Sequence, residues 1–269
     1  MKKYVLLFTV VLGSSFDSLA SQENSRSFIS GFSKSLNYKF GLAYTSNLKD
    51  SSLSEHFSSI VYTSVVSTNY LKNLPLNIAI NFVQNNEIED FLTLGNTIIS
   101  TSGGIGKGFM RSHSLILPTS KNSRDVKNNL GNITNSFIYS FSKDIYNGVD
   151  ISASFGLTHN YGLYRYETDL YGNSNIQNLL TETGNISLTY KNLNFSTFFG
   201  FAQAFSFSNN LMESYYLGHS FNYAHSKKLS LGISYSSGGS LLAPNGEDLG
   251  IQLFDRDNDT FTLNTIYSF

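Results

Sequence analysis

The stretch Phe261-Thr262-Leu263-Asn264-Thr265-Ile266-Tyr267-Ser268-Phe269 decides the fold. Counting back from Phe269 in steps of two gives Tyr267, Thr265, Leu263 and Phe261, one greasy and aromatic face. The other face is mostly small and polar. A period of two is the period of a β-strand. A solvent-facing edge strand would leave those rings in water, so something apolar must cover them.

The same alternation recurs along nearly the whole chain. Leu36, Tyr38, Phe40, Leu42 and Tyr44 alternate with Asn37, Lys39, Gly41, Ala43 and Thr45. Leu76, Ile78, Ile80 and Phe82 form another face, and Ile133, Phe137, Tyr139 and Phe141 a third, interrupted by Asn135. Val149 to Leu157, Ile186 to Tyr190, Phe195 to Phe201, Tyr215 to Tyr223 and Leu229 to Tyr235 continue the pattern. Each segment is close to the ~9–11 residues that a tilted strand needs to cross a bilayer. Short connections near 68–75, 144–148, 191–193 and 225–228 carry turn formers such as Asn147-Gly148. Long polar ones fall near 46–55, 85–95, 118–131, 164–182 and 238–258, so long and short alternate between the two ends.

Residues 1–20 read as an export signal. Lys2 and Lys3 precede an apolar core from Tyr4 to Leu12, and Ser18-Leu19-Ala20 supplies small residues before a cleavage point. That core is shorter than the ~20 apolar residues a spanning helix needs. Residues 21–33 are expected as a lead-in and 34–269 as the folded domain. Composition agrees with a wall that has one apolar and one polar face. Charged residues are 14% of the chain, against roughly 25% in ordinary soluble domains. Aromatic residues are also 14%, as 17 Tyr and 22 Phe with no Trp, yet mean hydropathy is only −0.13. The net charge of −1 is too neutral for a grip on nucleic acid, which needs clustered Lys and Arg. Without Cys there is no disulfide framework and no lipidated cysteine. No motif calls for a cofactor.

In hydrocarbon every backbone N–H and C=O must find an internal partner, and closing a sheet removes its raw edges. The expectation is therefore an all-β fold, a closed antiparallel transmembrane β-barrel of about twelve strands with both termini periplasmic. Ten or fourteen strands are the alternatives. Two segments are weak, 94–102 and 110–118, separated by a flexible-looking Ser102-Gly103-Gly104-Ile105-Gly106-Lys107-Gly108. An exported β-sandwich would show the same alternation, but the terminal aromatic strand and the loop asymmetry favour the barrel.

Through Phe261, Leu263, Tyr267 and Phe269, together with the 1–20 signal, the chain resembles bacterial outer-membrane β-barrel proteins of the porin-like kind. The resemblance implies the outer membrane of a Gram-negative bacterium, with lipid and lipopolysaccharide as surroundings. It also implies assembly through periplasmic chaperones and the barrel-assembly machinery, which reads a terminal Phe with Tyr two residues before it. A narrow pore for small hydrophilic solutes is the leading functional reading, since inward polar residues tune passage. Lys39 and Asp150 are the candidate lumen charges, and Gly156, Gly200, Gly218 and Gly232 are expected to leave room.

Other residues suggest other roles. His56 and Ser58, two apart on one strand face, could join an imidazole to a hydroxyl nucleophile. Outer-membrane phospholipases and lipid A deacylases look similar in using a His-x-Ser pair. Theirs usually continues with Asn, and here Ser59 follows. A lipid hydrolase is thus one alternative, and a non-conducting structural or surface-binding barrel is another. Asp255, Asp257 and Asp259 alternate as the first half of a Ca²⁺ loop would, but Thr260 and Ile266 stand where Gly and Glu belong. Lys121, Arg124 and Lys127, beyond the ladder-stopping Pro118, could contact anions or lipopolysaccharide phosphates. A solvated loop is the plain alternative for both groups.

Overall fold

The computed structural model describes residues 36–47, 58–68, 75–85, 92–146, 148–241 and 259–269. The expected signal (1–20) and lead-in (21–33) lie outside them. The strands are β1 (Leu36–Asn47), β2 (Ser58–Thr68), β3 (Leu76–Asn85), β4 (Thr93–Leu94), β5 (Thr97–Gly106), β6 (Phe109–Leu117), β7 (Asn129–Tyr146) and β8 (Val149–Tyr164). They continue as β9 (Ile176–Tyr190), β10 (Leu193–Ser206), β11 (Leu211–Ala224), β12 (Leu229–Ser240) and β13 (Thr260–Ser268).

Neighbouring strands pair antiparallel, β1 pairs with β13, and a β2–β3 pairing closes the ring. Both β4 and β5 pair with β3, and the Gly95 N–H donates to the Asn81 carbonyl at 2.7 Å between them. They are one wall strand broken by a bulge, so the wall has twelve strands and β4 is the extra short piece. Ten and fourteen are thereby excluded. The two weak segments are full wall strands. Ser102 to Gly106 belongs to β5, and the turn is only Lys107-Gly108, with φ of 37° and 85°. Positive φ at both central residues is what a tight hairpin of this hand requires.

Among the described residues, one end carries the tight turns at 107–108, 191–192 and 225–228 and the passage from β7 to β8 through Gly148, and the other carries 118–128 and 165–175. The connection after β8 is shorter than its expected 164–182, because β9 starts at Ile176. The rule that the outer end has only long connections fails once. Residues 207–210 join β10 to β11 there in a four-residue turn, closed by Ser206 N–H to the Asn210 carbonyl and Asn209 N–H to the Ser206 carbonyl.

There is no interior of packed apolar side chains. Among the described residues only Ala204 and Tyr215 are buried hydrophobics, while Phe155 is 59% exposed, Ile186 53% and Phe137 52%. These exposed residues share the outward face of paired strands (Phe137 opposite Leu157, Tyr139 opposite Phe155, Phe195 opposite Leu188). An apolar belt of this kind is stable only against hydrocarbon. Rows of tyrosine edge it, with Tyr44, Tyr161, Tyr215 and Tyr235 toward the long-loop end and Tyr38, Tyr190, Tyr223 and Tyr267 toward the other. On the inward face, hydroxyls on adjacent strands satisfy one another: Thr45 with Thr262 at 3.0 Å, Ser152 with Ser187 at 2.7 Å, Ser196 with Ser220 at 2.7 Å and Ser236 with Thr260 at 2.7 Å.

Candidate functional site: the lumen wall

The pairing registers assign every strand residue to a face. Lys39 lies opposite Ser268, on the inward face with Gly41, Ala43 and Thr45. Asp150 lies opposite Asp144, on the inward face with Ser152 and Ser154. Asp144 was not singled out in the sequence. A bulge between Asp144 and Tyr146 makes this pairing; an unbulged two-residue turn would set Ile145 opposite Asp150, so local spacing carried no signal for it. Both carboxylates stand at the short-turn end, on strands across the ring from β1 and Lys39. Among the described strand residues, these three are the charged side chains on the inward face.

The rest of the inner wall is uncharged but not uniformly polar. Ser, Thr and Asn dominate on β7 to β9. Val61, Val65, Val83, Ile98, Met110, Ile116 and Ile138 also face inward, which the expected Ser-Asn-Thr-Gly lining did not include. Two aromatic rings were likewise missed. Phe198 pairs with Gly218 and Tyr216 with Gly200, on the face of Ser196 and Ser220. Period two shows this in the sequence, because Phe198 sits out of step with the outward Phe195, Phe199 and Phe201.

The inward glycines do not simply leave room. A Cβ on Gly200 would overlap the Tyr216 ring, and one on Gly218 would overlap the Phe198 ring and the Tyr235 carbonyl. A Cβ on Gly232 would meet the side-chain oxygens of Asn222 and Asn264, and one on Gly156 the Thr183 hydroxyl. Each glycine is a seat on which a larger neighbour lies flat against the wall, the cross-strand device that protects exposed glycine backbone. Phe198 and Tyr216, with ring centroids 6.3 Å apart, form an aromatic ledge beside the Ser196 and Ser220 hydroxyls.

At the outer rim, three connections are knitted together. Asn175, buried, donates from Nδ2 to the carbonyls of Lys127 and Tyr166 at 3.2 and 3.1 Å, and its own carbonyl accepts from the Phe207 N–H. The Leu170 N–H reaches the Val126 carbonyl at 2.9 Å. Asp169 Oδ1 accepts from the N–H groups of Tyr171 and Asn173, and Oδ2 from Asn173 Nδ2. Desolvation raises its pKa, but those bonds and the Lys127 charge outweigh it, so the carboxyl ends below its ordinary value. Lys121 precedes the π-helical turn Asn122–Val126 and Lys127 follows it. Arg124 Nε donates to Asp125 Oδ1 at 2.8 Å. That hydrogen bond, reinforced by charge, raises the Arg124 pKa and lowers that of Asp125. The Arg124 charge is thus already answered by its neighbour.

His56, Asp255 and Asp257 lie outside the described residues, and Ser58 is the first residue of β2. Asp259 is buried and accepts a hydrogen bond from the Tyr235 hydroxyl at 2.5 Å. Phe261, Leu263 and Tyr267 occupy the outward face of β13, and Phe269 follows its last residue. The Phe269 N–H donates to the Tyr38 carbonyl, and its ring meets that of Tyr267 edge to face at 4.8 Å.

Barrels of this build, even-stranded and closed with an apolar belt between aromatic rows, belong to the outer membrane of Gram-negative bacteria, and this chain is one of them. Solved structures of the same architecture are outer-membrane channels. The COG4313 outer membrane channel from Pseudomonas putida F1 is similar over 87% of this chain and 95% of its own, with a TM-score of 0.55 and 10% identity. The NanC porin is similar over 86% and 98%, with a TM-score of 0.50 and 10% identity. The KdgM porin matches over 85% and 99% at 0.46 and 11%. No protein-family model matches the sequence, and no curated protein does.

Proposed function

We propose that this barrel is a narrow passive channel for small, uncharged hydrophilic solutes. The observation that carries the reading is the inner wall. Among the described strand residues its charged side chains are Lys39, Asp144 and Asp150, and all three stand toward the short-turn end. A wall built to draw ions would array one sign of charge along the path. This one offers hydroxyls, amides, small apolar groups and the Phe198–Tyr216 ledge. A pyranose ring, apolar on its faces and hydroxylated at its rim, matches both kinds of group.

Reconstitution tests the reading. Proteoliposomes should admit neutral mono- and disaccharides faster than acidic or basic sugars of the same size, and planar bilayers should show steady conductance. A barrel that conducts at no voltage and swells in no sugar would refute it.

Delivery is part of the same proposal. Residues 1–20 direct export, periplasmic chaperones escort the chain, and the assembly machinery reads Phe261, Leu263, Tyr267 and Phe269. Lys121 and Lys127 contact lipopolysaccharide phosphates at the rim. Deleting Phe269 should lower the amount of barrel recovered from outer membranes, while refolding into detergent continues.

A further inference from the structure

The outer wall has two unlike sides. At mid-strand on β12, β13, β1 and β3 the outward residues are Ile233, Leu263, Leu42 and Ile80, all hydrocarbon, and β2 between the last two presents only the hydroxyls of Tyr62 and Ser64. On β6 to β9 they are not. His113 stands opposite Asn135, and Asn135 opposite His159, one polar row across three strands. Glu182 faces outward on β9, between Leu157 of β8 and Phe201 of β10.

Some of these groups satisfy one another. His113 Nδ1 and Asn135 Oδ1 are 2.7 Å apart, and His159 Nε2 and Asn178 Oδ1 are 3.0 Å apart. The Glu182 carboxylate has no hydrogen bond or ion pair among the described residues, and its flanking neighbours Leu157 and Phe201 are 44% and 42% exposed. His113 is the central residue of β6, Phe137 follows Asn135 on the lipid face of β7, and Glu182 lies between Leu157 and Phe201, while His159 stands one step below the Tyr161 of the outer row. A charged side chain on this face is destabilising in lipid, most at the bilayer midplane and less toward the interface. Acyl chains donate no hydrogen bonds. His219, outward on β11, needs no such explanation, because it bonds Thr197 at 3.0 Å and stacks on Phe195.

We infer that the β6–β9 face is a subunit contact, and that its occupant is a second copy of this chain. Copies related by rotation about the membrane normal keep every residue at its own depth. A patch carrying imidazoles and a carboxylate on adjacent strands is then complementary to itself. Glu182 meets His159 or His113 of the partner subunit, and both sets of polar groups leave the lipid. This contact does not depend on what passes through the lumen.

The chain contains no cysteine, which makes the test direct. Differently tagged E182C and H159C chains are co-expressed and oxidised in native outer membranes, with L263C on the far wall as the control. The E182C and H159C chains should give a disulfide-linked species carrying both tags, and L263C should give none. Purification of the wild-type protein in mild detergent should yield a mass above one copy. A variant with H113L, N135L, H159L and E182L together should run as a single copy with its conductance retained, since leucine suits a lipid face. A single-copy mass for the wild type overturns the inference. So does equal cross-linking on both walls, or a different protein or a lipid held at the patch in place of a second copy.

Discussion

At the scale of single residues, glycine and its neighbour act as a unit. Tyr216 lies over Gly200 and Phe198 over Gly218, but the two seats differ in what a methyl group would strike. On Gly200 it meets only the far end of the Tyr216 ring, which can swing away. On Gly218 it also meets the Tyr235 backbone carbonyl, which cannot. Gly200→Ala should therefore cost about 1 kcal/mol or less and push Tyr216 into the lumen, lowering single-channel conductance. Gly218→Ala should cost more, about 1–3 kcal/mol, in detergent-unfolding experiments. Asp169 gives a pH prediction. Its carboxyl is stabilised in the folded loop, so its contribution is complete above the ordinary value of about 3.9 and is lost as pH falls through the lower folded value. Amide protection of Tyr171 and Asn173 should thus persist to lower pH than an unperturbed carboxylate would allow, and Asp169→Ala should remove it at neutral pH.

At the scale of elements, the strands are local and the outer rim is not. Tight hairpins such as Lys107-Gly108 fix register through backbone dihedrals alone. At Gly108 a side chain would both strain a φ of 85° and overlap the Ser140 carbonyl, whose residue donates back to Gly108 at 2.8 Å. The rim depends on Asn175, which ties the connections after β6, β8 and β10 together. Asn175→Ala leaves the Lys127 and Tyr166 carbonyls without their side-chain donor, a change worth about 1–3 kcal/mol where the groups stay buried. Hydrogen exchange should accelerate across 165–175 and 207–210 while the strands below remain protected. Unchanged exchange there would show that the rim stands without its hub.

At the scale of the whole molecule, closure places Lys39 across the ring from Asp144 and Asp150. In a water-filled passage one charge acts on a passing ion with about 1 kcal/mol or less. Cation-to-anion permeability ratios should therefore stay within about fivefold of unity. Lys39→Gln should move the ratio toward cations, and Asp144→Asn with Asp150→Asn toward anions, read as reversal potentials in a salt gradient. A wild-type ratio far outside that window would mean that charges other than these three govern the path.

The sequence by itself determined the strand class, the two faces and the closed barrel. Alternation is a local property, and hydrocarbon imposes closure on any sheet that carries it. Phe261 to Phe269 and Val149 to Leu157 could be read residue by residue for this reason. Residues 94–102 and 110–118 are less legible, because the Gly95–Asn96 bulge and the glycines of β5 break the period without breaking the strand. What the tertiary structure alone decided is which residues meet. The registers of twelve strands set the stagger of the ring, and those registers bring His113, Asn135 and His159 into one row, seat Tyr216 on Gly200, and set Lys39 across from a pair of carboxylates. Such neighbours lie tens of residues apart in the chain, where no local pattern connects them.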